Sequence, residues 1–356
     1  MSLFKDMLSS EESLFKDEEA LNYDFVPKLL PYRDAQQRQV ASCIKPLFQD
    51  RAGRNVFVSG APGIGKTAAI KWVLRDLEDT SEEIEPFYIN CWQKNTTYKV
   101  MLELCEQLGY KFTQNKKTED LFKVIKGLLI NKGAVFAFDE VDKLDDFDFL
   151  YTILEEIMVK SVVLITNYKE WLMDLDERIK SRLVCETLYF EPYNEQETQG
   201  ILKERIRYVF VPGVWSDDSL VLVSAKTFEK KDIRTGIYLL KEAGRIAEDA
   251  SSRKVTEDHA KEAIGKLDQF SVKEEEDLEE ETQKVLGVVK EQSGGKIGDL
   301  YKSFQENGGL GSYKSFQRKV EKLEKAGFIT VKKTSGGAEG NTSFISLKEE
   351  KKLTDF

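Results

Sequence analysis

Histidine is nearly missing from this chain: 356 residues contain one, His259. A single imidazole excludes multi-histidine metal centres, and any Ser-His nucleophilic pair except at that position. There, in Thr256-Glu257-Asp258-His259-Ala260-Lys261, the ring lies in the polar start of a helix and reads as a solvated side chain. Cysteine is scarce too. The four present (Cys43, Cys91, Cys105, Cys185) show no Cys-x-x-Cys spacing, so neither a zinc site nor a disulfide framework is expected. No apolar run approaches the length of a bilayer span, and the first residues lack the basic-then-apolar layout of a secretion signal. A membrane role is therefore not expected, and a cytoplasmic location is.

What remains is a globular composition, 41% hydrophobic and 33% charged, over a length that predicts two or three domains. The net charge of −10 is unevenly spread. Lys284 to Phe356 holds 14 Lys and Arg against 9 Asp and Glu, a balance of +5, which leaves −15 for residues 1–283. A basic tail on an acidic body is the asymmetry expected of a nucleic-acid-binding appendage.

One motif dominates. Gly60-Ala61-Pro62-Gly63-Ile64-Gly65-Lys66-Thr67 is a complete GxxxxGK[ST] phosphate loop. The apolar Asn55-Val56-Phe57-Val58-Ser59 before it predicts a buried strand, and Ala68 to Leu77 after it has helical spacing. Glycines let the backbone curl so that N–H groups point at phosphate oxygens, and the helix adds its positive N-terminal end. The expected nucleotide contacts run from Gly60 through Ala68. Lys66 reaches the β- and γ-phosphates and the Thr67 hydroxyl helps hold Mg²⁺.

The rest of the chain divides by periodicity. Residues 1–20 are polar and acidic and carry Ser-Leu-Phe-Lys-Asp twice, at 2–6 and 13–17, with no function assigned to the pair. Residues 34–50 suit an amphipathic helix. Strands are expected over 87–90, 134–138, 161–166 and 187–190, and helices over 96–109, 119–131 and 148–158. This alternation predicts an α/β fold, a parallel sheet covered on both faces, over residues 1–194. Residues 195–270 show only helical periodicity (195–210, 216–226, 232–249, 256–268) and predict a small all-α domain. Seven acids in the eight positions 274–281 suit a solvated linker or an exposed helix start. Residues 271–356 then read helix, helix, helix, hairpin (282–292, 298–306, 312–326, 328–332 with 343–347), the layout of a winged helix.

Further site residues follow from strand ends. Asp139, closing the apolar run Ala134 to Phe138, is placed to bind Mg²⁺, and Glu140 to polarise a lytic water. Asn167, after strand 161–166, could hydrogen-bond the γ-phosphate and that water without adding charge. Arg178 and Arg182 flank a helix; either a rim arginine reaches a neighbouring subunit's nucleotide, or both are surface ion-pair partners. Arg234 begins a helix from which it could close over the γ-phosphate.

In this order the motifs resemble those of the AAA+ ATPases, and more narrowly the archaeal family related to origin recognition complex subunit 1 and cell division control protein 6. The resemblance spans nearly the whole chain. It includes Asp24 to Arg33, Tyr88-Ile89-Asn90-Cys91-Trp92-Gln93, Tyr98 to Gly109, Asp139-Glu140-Val141-Asp142, Asn167, Arg178 to Leu183 and Asp232-Ile233-Arg234. It implies an ATPase base, a helical lid and a C-terminal winged helix. It implies ATP or ADP with Mg²⁺ as ligands, with Tyr32 and Arg33 framing adenine and Arg182 acting in trans in a mixed assembly with a paralogous initiator subunit. It also implies slow ATP hydrolysis, ATP-regulated binding to replication-origin duplex and recruitment of the replicative minichromosome maintenance helicase. The segment between Asn90 and Gly109 implies a second DNA contact. Two positions depart from the pattern: Ile64, where Thr or Lys is commoner, and Lys231, where Gly is expected just before the lid arginine.

For DNA, helix 312–326 sets Phe316, Val320 and Leu323 on one stripe, leaving Lys314, Arg318, Lys319, Lys322 and Lys325 for a duplex. Its first residues, Ser312, Tyr313, Lys314 and Ser315, are expected closest to the bases. Arg318 could read guanine, whereas lysines hold phosphates. The wing offers Lys332 and Lys333, and a turn with Gly336, Gly337 and Gly340. Two alternatives stay open: a loader ATPase acting on a protein, and a regulator whose winged helix docks a protein.

Overall fold

In a computed structural model, residues 13–27, 30–276, 280–325, 328–334 and 342–347 are described. They form two compact units, residues 1–260 and 261–356.

The first unit is built on β1 (Asn55–Gly60), β2 (Ile84–Asn90), β3 (Gly133–Asp139), β4 (Lys160–Thr166) and β5 (Cys185–Phe190). All pairings are parallel, in the order β2-β3-β4-β1-β5. The strands read as continuous apolar runs because both faces are covered, and alternate residues go opposite ways. Phe57, Phe136, Phe138, Val162 and Leu164 pack one way, against α3 (Thr97–Gln107), α4 (Thr118–Leu128), α5 (Asp148–Glu156) and α6 (Glu177–Leu183). Val56, Val58, Val135, Ala137, Val163 and Ile165 pack the other way, against α1 (Asp34–Ile44) and α2 (Lys66–Thr80). The expected helix over 34–50 is α only to Ile44. From Lys45 to Gln49 it tightens to 3₁₀, because Pro46 supplies no amide donor. Since β1 lies between β4 and β5, the ends of β1, β3 and β4 meet at one edge, the crevice where open parallel sheets bind ligands.

Helices α7 (Glu195–Val209), α8 (Asp217–Lys230) and α9 (Ile233–Asp249) share this unit, and α10 (Glu257–Glu276) begins in it and continues into the second. Asn194 and Glu197 cap α7 reciprocally, Ser216 caps α8 and Asp232 caps α9. Helix α8 runs four residues past the expected 226 and stops at Lys231, which takes the left-handed C-cap (φ 52°) usually given to glycine. A strap the periodicity did not reveal lies on these helices. Leu14, Ala20 and Leu21 are buried. Phe15 bridges Phe210, Lys16 N–H donates to the Val209 carbonyl, and the Glu248 carboxylate accepts from Ser13 Oγ and Leu14 N–H at 2.7 Å each. This is the second copy of the repeated pentamer; the first, at 2–6, lies outside the described residues.

The second unit comprises α11 (Glu280–Glu291), β6 (Gly295–Lys296), α12 (Ile297–Glu306), α13 (Tyr313–Lys325), β7 (Ile329–Thr334) and β8 (Thr342–Leu347). Its antiparallel sheet has the order β6-β8-β7. Beyond the expected hairpin it gains the two-residue β6, too short to leave a period in the sequence. The core gathers Val285, Val289, Leu300, Phe304, Phe316, Val320, Leu323 and Ile345.

Candidate nucleotide site and nucleic-acid face

The phosphate loop joins β1 to α2 through Gly63 (φ 70°) and Gly65 (φ 85°), both in the left-handed region where a side chain is strained. At Gly63 a Cβ would also overlap the Asp232 carboxylate, so the loop touches the start of α9 directly. Ile233 N–H donates to the Gly63 carbonyl at 3.1 Å.

Lys66 is buried, and its Nζ donates to the Gly60 carbonyl (2.9 Å), the Ala61 carbonyl (2.8 Å) and Asn167 Oδ1 (2.8 Å). Burial drives this ammonium down to about 8 against the pull of the Asp139 carboxylate, with the Arg234 guanidinium pushing the same way as burial. Thr67 Oγ1 donates to Asp139 Oδ2 at 2.6 Å, and the Tyr88 hydroxyl donates to the same oxygen at 2.8 Å. The other carboxylate oxygen accepts from Glu140 N–H at 2.9 Å. Glu140 itself stands in the left-handed region (φ 55°), an uncommon conformation for a side-chain-bearing residue. Burial, then Asp139 and Asp142, holds its carboxyl above the usual range. The next turn is pinned by Thr166 Oγ1 donating to Asp142 Oδ1 (2.8 Å) and by Lys143 on Asp142 Oδ2 (2.9 Å).

The structure thus brings Lys66, Thr67, Asp139, Glu140 and Asn167 together, with Arg234 near. Arg234 is fastened to its own N-cap, Asp232 (2.8 Å), which holds its guanidinium above the usual arginine range. Arg182 is not part of this cluster. It pairs with Glu155, sits 4.7 Å over the Tyr151 ring, and donates to the Arg178 carbonyl, while Arg178 pairs with Asp176. Tyr32 is left-handed (φ 65°) and half-exposed, with its hydroxyl so close to α7 that a Cβ at Gly200 would overlap it. Arg33 lies beneath the loop, 3% exposed, against Ile64 and Glu191 carbonyls and the Tyr193 ring. Tyr193, Tyr88 and the amide of Ile233 were not expected in these contacts. Tyr193 carries a weak signal, as the aromatic residue following Pro192 at the end of the last strand.

In the second unit, α13 buries Phe316, Val320 and Leu323. Ser312, Tyr313, Lys314 and Arg318 are exposed, whereas Ser315 and Lys319 are half-buried. Tyr313 rests edge-on against Tyr301, 5.2 Å between centroids. Lys332 and Lys333 fall in β7, while Gly336, Gly337 and Gly340 lie outside the described residues. No helix among the described residues is long and apolar enough to cross a membrane.

A five-stranded parallel sheet, a phosphate loop at its crevice and a helical layer touching that loop define an AAA+ ATPase. Family models agree: residues 49–173 match an AAA domain, and residues 199–265 match a Cdc6 AAA+ ATPase-type lid domain. The chain is 30% identical to the ORC1-type DNA replication protein 2 of Methanothermobacter thermautotrophicus, over 96% of this chain and 94% of that one. It is 32% identical to the ORC1-type DNA replication protein 1 of Sulfurisphaera tokodaii, over 95% and 91%. The solved Aeropyrum pernix ORC1 protein in complex with DNA superposes with a TM-score of 0.71 at 27% identity, over 96% of this chain and 94% of that one. The chain belongs to the ORC1-type DNA replication proteins, the ORC1/Cdc6 class of AAA+ replication initiators.

Proposed function

We propose that the chain is an ATP-switched initiator that binds origin duplex through its C-terminal unit and helps recruit the replicative minichromosome maintenance helicase. The observation that carries DNA binding is α13, which buries one apolar stripe and turns Lys314 and Arg318 outward on a module of balance +5. Its first turn lies against base edges, Arg318 and Lys319 meet the duplex further along, and Lys332 and Lys333 hold phosphates from the wing. Trp92, 64% exposed with the Lys143 ammonium 5.2 Å from its ring, belongs to the second contact around residues 92–97. The A. pernix relative was solved with DNA, which supports the same reading here.

Thr67 and Asp139 fit Mg²⁺, because a hydroxyl and a carboxylate oxygen 2.6 Å apart are both hard oxygen donors. When bound, the ion supplies neutralising charge at the phosphates. Lys66 leaves its carbonyl partners for the β- and γ-phosphates, Glu140 accepts a proton from the attacking water, and Asn167 orients that water. Turnover is slow, so that bound ATP or ADP sets the state of the initiator. Arg234 senses the γ-phosphate. Arg182 serves the nucleotide of a paralogous subunit, giving up Glu155 to do so. Residues 1–194 act as base, 195–270 as lid and 271–356 as the winged helix, in the cytoplasm.

Nuclease footprinting with ATP or ADP on origin-containing and random duplexes tests this. Protection of the origin, weakened in Lys314→Ala/Arg318→Ala, is expected. Equal occupancy of both duplexes would indicate a loader, and no protection a protein dock.

A further inference from the structure

Arg33 is a buried guanidinium whose described surroundings contain no carboxylate partner. Such a charge is costly unless its donors are all placed. Here the donors of two of its three nitrogens are given to main chain: Nε and Nη2 to the Ile64 carbonyl (3.2 and 2.8 Å) and Nη2 to the Glu191 carbonyl (2.8 Å). The guanidinium lies 3.8 Å from the Tyr193 ring centroid and 5.1 Å from that of Phe190. The Tyr193 hydroxyl in turn stands 2.7 Å from where a Cβ on Gly65 would lie. Arginine and tyrosine make one column under the loop.

A trans peptide fixes the rest. None of the peptide bonds among the described residues is cis, and in a trans unit the C=O of one residue and the N–H of the next point in opposite directions. Holding the Ile64 carbonyl beneath the loop therefore turns the Gly65 N–H to the opposite, phosphate-facing side. The preceding unit is treated alike from α9, whose Ile233 N–H holds the Gly63 carbonyl and so turns the Ile64 N–H. Glycines make the curl possible, but they do not choose which way each peptide faces. The carbonyl-side bonds do.

We propose that Arg33 is a positioning residue for the phosphate loop, aiming the Gly65 N–H through the Ile64 carbonyl, rather than a contact to the nucleotide base. The proposal rests on this loop being the nucleotide site. Lysine in its place brings one point charge instead of a planar fork and cannot serve both carbonyls in the same geometry.

Titration calorimetry of the full chain with ADP and with GDP, using Arg33→Lys and Arg33→Ala, tests it. Arg33→Lys is expected to weaken ADP about tenfold and Arg33→Ala further, with the ADP-to-GDP ratio within about twofold of the parent. The nucleotide-free melting midpoint of Arg33→Lys is expected within about 4 °C of the parent. A collapsed ADP-to-GDP ratio would make Arg33 a base contact and overturn the proposal. So would parental ADP affinity in Arg33→Lys, or loss of its nucleotide-free fold. Lys66→Ala separates the two levels: if it binds ADP as the parent does, the site itself is wrong and the proposal goes with it. If Lys66→Ala fails to bind and Arg33→Lys does not weaken, only the role of Arg33 is wrong.

Discussion

Two side chains in the crevice carry charges the fold disfavours, and each gives a pH-dependent signature. Glu140 is held above the usual carboxylate range, so the folded state binds its proton more tightly than the unfolded chain does. Its ionisation therefore subtracts stability as pH rises from the unfolded value through the folded one, and the loss persists at neutral pH. Glu140→Gln is expected to abolish ATP hydrolysis while raising the melting midpoint at pH 7 by roughly 1–2 °C, since a half-buried group is partly screened. A drop in the midpoint, read by calorimetry, would contradict this. Lys66 shows the opposite case. Its ammonium is depressed to about 8, and phosphate oxygens restore it, so binding ADP takes up protons above that value. Affinity should weaken as pH rises from 8 to 9, and calorimetry at pH 8.5 in two buffers of different ionisation enthalpy should show proton uptake.

Among the elements, the strap over residues 13–21 offers the sharpest test. Glu248→Ala removes the acceptor for Ser13 and Leu14, at a cost of about 1–2 kcal/mol for a charge-assisted pair at a partly buried site. The amides of Lys16 and Asp17, which donate to the Val209 carbonyl, should lose hydrogen-exchange protection while those of β3 keep theirs. The strap also shows where sequence reading stops. Strands β1, β3 and β4 were legible because a doubly covered parallel strand must be apolar throughout. Their ends were read short, since Lys160, Asp139 and Gly60 continue the pairing without continuing the pattern. The loop, Asp139, Glu140 and Asn167 were legible because strand ends on one side of a parallel sheet converge. Leu14 and Leu21 were not, because the helices they pack on lie roughly 175 residues or more further along and no local period points there. Arg33 is singled out in the sequence by resemblance alone, as an adenine contact; the carbonyls it holds leave no signal, being main-chain groups that every residue possesses.

For the whole molecule, charge sets the expected response to salt. Each phosphate contact removed lowers the slope of log affinity against log salt by about 1. Lys314→Ala/Lys319→Ala should therefore flatten the slope by about 1–2 units on any duplex, and Arg318→Ala should also relax sequence preference. Fluorescence anisotropy across a salt series would expose either failure. The strap has a further consequence, for biosynthesis. Leu14 and Glu248 stand 234 positions apart. At the roughly 5–20 residues per second of translation, the leucines and Phe15 leave the ribosome roughly 10–50 s before α9 exists to receive them. Through most of its own synthesis the nascent polypeptide therefore carries these apolar side chains uncovered, until the helices that bury them emerge.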